Sequence, residues 1–233
     1  MVFTLLQRAI LVHFLLPLCT ESVKGEIVNI DTLGRIKTFL HENYEIGQYA
    51  AAINVPKEQC QVNFSPSTDT FLKDDKGENV KNIIKGDEYP VYKGEELIAA
   101  GVQKNPNPAH SEFLLLNPPD DNTESPLTYL MNKGRDRCVV FYTLNSPCIQ
   151  TCLRGKYNII PGVNKLKRYK GMKAFVFSNI WTNDQGQDKK EVLKEKLKLI
   201  ADRVPLFRCK VNNPCVLCGK PGSKEINEMC LNP

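Results

Sequence analysis

The sequence predicts an α/β fold: a mixed five-stranded sheet flanked by helices on both faces, with its last two strands parallel. Three observations predict it. Short β-branched and aromatic runs alternate along the chain with amphipathic helical stretches. The clearest run, residues 137–145, is bounded by turn residues at both ends. A helical pattern of about 17 residues separates the last two strand candidates, long enough for a crossover that leaves them parallel. With 233 residues, 42% of them hydrophobic, the chain can bury one substantial core.

Taken in order, Asp31 is placed to N-cap a first helix that turns Leu33, Ile36, Phe39 and Leu40 to one face and ends between Asn43 and Gly47. Residues 49–55 read as a buried strand closed by Pro56. Residues 56–90 are polar and lack a sustained period, so they predict a long insertion tethered through Cys60. A second strand is expected over 96–102. The run Asn105-Pro106-Asn107-Pro108 is a stiff turn that delivers His110 to the start of a short helix, Ser111–Leu116, and a further helical piece covers Pro126–Asn132. The strand over 137–145 follows, and Pro147 then occupies a position favoured at the start of a helix. Residues 172–180 predict another buried strand. The amphipathic helix over 188–204 turns Val192, Leu193, Leu197, Ile200, Ala201 and Val204 inward, and a last strand lies over 207–211.

Residues 1–25 read as a secretory signal: Arg8 supplies the positive end, residues 9–18 an apolar core, and cleavage falls before Glu26. The core is short and interrupted by His13 and Pro17, which suits a signal better than a membrane span; an uncleaved anchor is the other reading. Residues 26–211 then form the single domain, and 212–233 a cysteine-rich tail packed on it. Cys19 leaves with the signal. Setting Cys148 and Cys152 aside, Cys60, Cys138, Cys209, Cys215, Cys218 and Cys230 remain, enough for three disulfides in an oxidising compartment. Their connectivity is open. The C-x-x-C within the last four also suits a second, structural zinc, and Cys138 also suits a plain core position. Asn63-Phe64-Ser65 is a formal glycosylation acceptor followed by Pro66.

The net charge of +5 does not by itself imply a nucleic-acid partner. Its distribution is more telling. No Asp or Glu stands between Arg137 and Trp181, whereas Arg137, Arg154, Lys156, Lys165, Lys167, Arg168, Lys170 and Lys173 do, with Tyr157 and Tyr169 interleaved. Such a block is either a groove for a phosphate backbone or a solvated helix face.

The chemistry is concentrated in His110-Ser111-Glu112 and in Ser146-Pro147-Cys148 followed by Cys152. These supply one imidazole, two thiolates and one free carboxylate. Three protein ligands leave a fourth position on Zn²⁺ for water and lower the pKa of that water. A free carboxylate can then carry the water's proton to a base so that ammonia leaves. The pattern is H-x-E…P-C-x-x-C with the cysteines one residue further apart. Singly, His110 reads as a surface residue, Glu112 as a first-turn carboxylate, and the cysteines as a disulfide. Their joint order and strand-to-helix context point to the metal site.

On these motifs the chain resembles the AID/APOBEC-like branch of the cytidine deaminase superfamily over roughly residues 28–211. The secreted AID/APOBEC-like deaminases of vertebrates look closest, given the signal and the cysteine-rich tail. The resemblance implies a cytidine-deaminase-like fold in which His110, Cys148 and Cys152 bind Zn²⁺ and Glu112 shuttles protons. It also implies that the Ser146 carbonyl receives the departing amino group. Trp181 opens the stretch where relatives read the base beside the target; it either stacks on a base or anchors the loop. Tyr142, on the central strand, faces either core or pocket. Departures from the branch are Ser111 in place of alanine, and Leu144-Asn145 in place of a tryptophan-containing stretch. The implied function is secreted, zinc-dependent, hydrolytic conversion of cytosine to uracil in single-stranded DNA or RNA, without stable membrane association after signal cleavage. A free-nucleoside deaminase and a catalytically silent secreted binding or immune protein with a structural zinc are the alternatives. The intact Glu112 favours an enzyme.

Overall fold

Helix α1 (Ile30–Tyr44) opens the fold, and its cap is Asn29 rather than the expected Asp31. The Asn29 side chain accepts the backbone N–H groups of Asp31 and Thr32, each at 3.0 Å, which leaves Asp31 in the first turn, where its charge suits the helix dipole. The structure, a computed structural model, describes residues 27–66, 71–210 and 214–232; the segment read as a secretory signal lies outside them.

The expected strands are present as β1 (Ala50–Val55), β3 (Leu97–Ala100), β4 (Cys138–Asn145), β5 (Met172–Asn179) and β6 (Leu206–Arg208). Two more extend the sheet, β2 (Val91–Lys93) and β7 (Val216–Gly219), so it has seven strands rather than five, in the order β2-β3-β1-β4-β5-β6-β7. Val91-Tyr92-Lys93 directly follows the polar insertion and Val216-Leu217-Cys218-Gly219 lies in the cysteine-rich tail, so neither stands out as an apolar or β-branched run of its own. β4, β5 and β6 are mutually parallel, and β5 reaches β6 through α7 (Lys190–Ala201), the crossover that its length predicts. β7 pairs antiparallel with β6, so the cysteine-rich segment is in part a strand of the sheet.

The sheet separates two apolar layers. On one face Ala50, Ala52, Phe141, Phe175 and Phe177 pack beneath α4 (Ser111–Leu116), α5 (Pro126–Asn132), α6 (Ile160–Arg168) and α7. Phe141 and Phe175 stack with ring centres 4.8 Å apart, and burying each ring contributes about 2 kcal/mol. On the other face Ala51, Ile53, Tyr142 and Val176 meet α1. Gly162 lets α6 close on α4: a Cβ there would stand 2.3 Å from the Leu116 carbonyl oxygen.

The insertion over 56–90 is not structureless. It contains α2 (Glu58–Gln61) and α3 (Gly77–Ile84), and its Phe64, Phe71, Val80 and Ile84 join the α1 layer. One helix is a single turn and the other buries only two residues, so neither shows in the pattern. The Cys60–Cys138 disulfide ties α2 to the first residue of β4; Cys209–Cys215 and Cys218–Cys230 secure the C-terminal segment. Cys138 is therefore not a plain core residue, and the last four cysteines are all paired, which removes the second-zinc reading.

Asp75 joins the insertion to the rest. Tyr92 Oη donates to its carboxylate and Tyr44 Oη to its backbone carbonyl, both at 2.8 Å. Burial, reinforced by Glu96, Asp74 and Glu95 and opposed by the Tyr92 bond, raises its pKa to about 6. A carboxyl whose folded pKa lies above its unfolded one, ~3.9, contributes most at low pH and loses that contribution as pH rises from about 4 to 6. Asp75→Asn should therefore raise stability by about 2 kcal/mol at pH 7.5 and leave it unchanged at pH 4. Urea unfolding at the two pH values checks this; an equal effect at both would exclude the ionisation argument.

Arg208 is buried, and among the described residues its guanidinium has backbone carbonyls as acceptors: Ser178 at 3.1 Å, Met229 at 3.2 Å and Asn232. It thus joins the end of β5 to the C-terminal segment.

Candidate active site

The loop after β3 presents the first ligand. Gln103 and Ala109 form a two-bond bridge, each backbone N–H reaching the other's carbonyl at 3.0 Å, across a turn with a cis Asn105–Pro106 bond. The bridge holds His110 in extended backbone at the N-cap of α4. The helix that follows is buried along nearly its whole surface, so Glu112, on its first turn, is 1% exposed.

β4 delivers the two sulfurs at the same end of the sheet. The helix expected from Pro147 is absent. The chain makes one turn, in which the N–H groups of Cys152 and Leu153 both bond to the Cys148 carbonyl at 3.1 and 3.2 Å. The next helix begins only at Ile160. The four-residue spacing still places both sulfurs on one side of that turn, but without a helix dipole behind Cys148. The turn is held from β5's exit instead. The buried Asp184 accepts Ile149 N–H at 3.0 Å, Ser146 Oγ accepts Trp181 N–H at 3.0 Å, and Ser146 N–H reaches the Asn179 carbonyl at 2.7 Å.

His110 Nδ1 lies 3.2 Å from Cys152 Sγ and 3.6 Å from Cys148 Sγ, and the sulfurs are 3.4 Å apart. A tetrahedral zinc with bonds of about 2.0 to 2.3 Å needs ligand atoms separated by about 3.4 to 3.8 Å. The donor set fits. Its proton chemistry agrees: contact with the Cys152 thiol and with His110 draws the Cys148 thiol down to about 3, while the bond to Cys148 and burial push Cys152 far up. Two thiolates this close repel each other, and a cation between them is what allows both to be ionised. These three residues are the one metal-competent His/Cys/Asp/Glu group among the described residues.

Glu112 faces this group without belonging to it. Its Oε1 accepts Thr143 Oγ1–H at 3.0 Å and Gln48 Nε2–H at 3.5 Å, and its Oε2 accepts Ser111 Oγ–H at 3.2 Å. Burial raises its pKa, against the pull of its own backbone, His110 and Thr143.

Trp181 is partly buried against the layer that contains Cys148 and Cys152, its ring centre 6.4 Å from that of His110. Tyr142 lies elsewhere. It points to the opposite face of the sheet, edge-on to Tyr49 at 5.7 Å and with its Oη 2.9 Å from Ser178 Oγ, so it is a core residue and not a pocket residue. The basic block is divided. Arg154 and Lys156 are exposed in the loop that follows Cys152, with Tyr157 edge-on to Phe113 at 5.0 Å. Lys167, Arg168 and Lys170 lie at the far end of the sheet, where Met172 pairs with Cys138, and there Arg137 bonds Glu96 and Lys173 bonds two backbone carbonyls. Sequence reasoning missed Thr143, Gln48 and Asp184. Strand parity was the signal for Thr143, since it shares a face with Phe141.

A family model described as Secreted Novel AID/APOBEC-like Deaminase 1 matches residues 33–233. The chain belongs to this family. The match runs past residue 211 through the cysteine-rich segment, in keeping with β7 as a strand of the sheet. No curated protein and no solved structure matches the chain. Membership makes this a deaminase-family protein with a His/Cys/Cys group able to hold a metal ion. The word "secreted" in the family description fits the three disulfides. Among the described residues no helix is long and apolar enough to cross a membrane.

Proposed function

We propose that the protein is a secreted, zinc-dependent deaminase that converts cytosine to uracil in single-stranded nucleic acid. The observation that carries this reading is the buried, unligated Glu112 beside His110, Cys148 and Cys152. A structural metal site has no use for such a carboxylate, and burying one is costly. His110 Nδ1 and the two sulfurs would hold Zn²⁺, which when bound supplies Lewis-acid activation of a water molecule.

This chain's residues do the rest. Glu112 accepts the water's proton on its carboxylate and delivers it to the base, so that water adds at C4 and ammonia leaves. The Ser146 carbonyl receives the departing amino group. Its strand end is fixed by the bonds to Asn179 and Trp181, so the acceptor does not move during the reaction. Trp181 supplies an aromatic wall beside His110.

The exposed Arg154 and Lys156 in the loop after Cys152 favour a polynucleotide substrate over free cytidine. The test is zinc content together with deamination of single-stranded DNA, RNA and cytidine. The expected result is about one zinc per chain and turnover on an oligonucleotide. Its KM should rise severalfold between about 50 and about 200 mM salt. Salt-independent turnover confined to cytidine would replace the polynucleotide with the nucleoside. Zinc without turnover on any of the three would leave a binding protein.

A further inference from the structure

Thr143 is a hydroxyl where the strand has no need of one. It lies on β4 after Val139, Val140, Phe141 and Tyr142, is fully buried, and pairs with Ala50 of β1. Valine would serve the strand equally well, and a buried hydroxyl is costly unless it is bonded. Its one proton has two acceptors within reach, Glu112 Oε1 at 3.0 Å and the Asn145 carbonyl oxygen at 3.1 Å, of which the charged carboxylate is the stronger. A second brace comes from the residue before Tyr49. Asn145 Nδ2–H donates to Gln48 Oε1 at 2.6 Å, which fixes the Gln48 amide with its nitrogen toward Glu112 Oε1. Gln48 and Asn145 are half-buried, whereas Thr143 is sealed from solvent.

The two braces converge on one oxygen. Oε1 is approached from β4 and from the residue leading into β1, while Oε2 has only the neighbouring Ser111 hydroxyl among the described bonds. A carboxylate held at one oxygen by a donor from β4 and a longer one from Gln48, ahead of β1, resists twisting about its own axis, and its second oxygen keeps its direction. We propose that Thr143, backed by the Gln48–Asn145 amide pair, is the positioning residue that sets the orientation of the Glu112 carboxylate. This rests on the reading of Glu112 as the proton carrier. Thr143 is fully buried and its described hydrogen bonds go to Glu112 and Asn145 and to none of the metal ligands, so its removal should act on the rate of the proton-transfer step and not on binding of zinc or substrate.

The test compares wild type with Thr143→Val, Thr143→Ser, Gln48→Ala and Glu112→Gln. Zinc content, thermal unfolding, kcat and KM are measured on the oligonucleotide that the wild type deaminates. Thr143→Val should keep its zinc and its KM within about threefold while kcat falls about 10- to 100-fold. Thr143→Ser, which restores the hydroxyl, should recover most of that loss, and Gln48→Ala should lower kcat in the same direction by less. A wild-type kcat in Thr143→Val would overturn the inference, as would zinc lost in step with activity, or a folded serine variant no better than the valine one. If the valine variant does not fold, an unchanged kcat in Gln48→Ala overturns it. Glu112→Gln separates the two levels: if that variant is active the proton-carrier reading falls as well, and if it is inactive while Thr143→Val is unimpaired only the positioning role falls.

Discussion

Glu112→Gln is expected to lower deamination by about a thousandfold or more while leaving the zinc content unchanged. The amide keeps the volume of the carboxyl and can still engage Thr143, Gln48 and Ser111, which surround it at 3.0 to 3.5 Å. What it loses is the capacity to take up a proton and release it, a function worth about 10² to 10⁴ in rate in acid–base catalysis. Because Glu112 is not among the three metal-competent residues, zinc measured in the purified variant should match wild type. Parallel loss of zinc and activity would mean that Glu112 holds the site together and does not carry the proton.

The second large effect is on stability. The Cys60–Cys138 disulfide spans 78 residues of sequence, and loop-closure entropy assigns such a cross-link about 4 kcal/mol. The same accounting gives about 2 kcal/mol for Cys209–Cys215, six residues apart, and about 3 kcal/mol for Cys218–Cys230, twelve apart. Replacing Cys60 and Cys138 together by alanine should therefore cost the most and lower the melting temperature by about 10 °C or more. The pair joins the insertion to the strand that leads into Ser146 and Cys148, and both cysteines are fully buried, so small cavities add to the loss. Thermal unfolding of the three double-alanine variants gives the ranking. A Cys60/Cys138 variant no less stable than the Cys209/Cys215 one would show that native strain, not the unfolded chain, governs these bridges.

The metal ligands and Glu112 were legible because their relation is nearly local. His110 and Glu112 are two residues apart, Cys148 and Cys152 four, and few other histidines compete. The groups that hold Glu112 were not legible, because Gln48 lies 64 residues away and Thr143 31, and both arrive through the register that pairs Ala50 with Thr143. The period of two along β4 could have shown that Tyr142 faces the opposite layer, since Phe141 and Thr143 share the other face and Phe141 packs in the layer that contains Cys148 and Cys152. The turn after Pro147 shows the limit of local preference. Proline suits a helix start, but the chain closes one turn and passes Gly155, where a Cβ would stand 2.9 Å from the Gln150 carbonyl oxygen. The crossover from β5 to β6 was predictable from its length alone. The short edge strands depend on neighbours, and no local signal announces them.

Arg208 gives the end of the chain a part in deciding whether the rest is folded at all. Among the described residues, two of its three carbonyl acceptors belong to Met229 and Asn232, more than twenty positions further along the chain. A product that stops short of them, through premature termination or clipping by a protease, would bury a guanidinium with most of its partners gone. That costs several kcal/mol, a large share of what keeps a domain of this size folded. A chain cut before Met229 should therefore unfold at a lower temperature than one that keeps Met229 and Asn232, which thermal unfolding of the two checks.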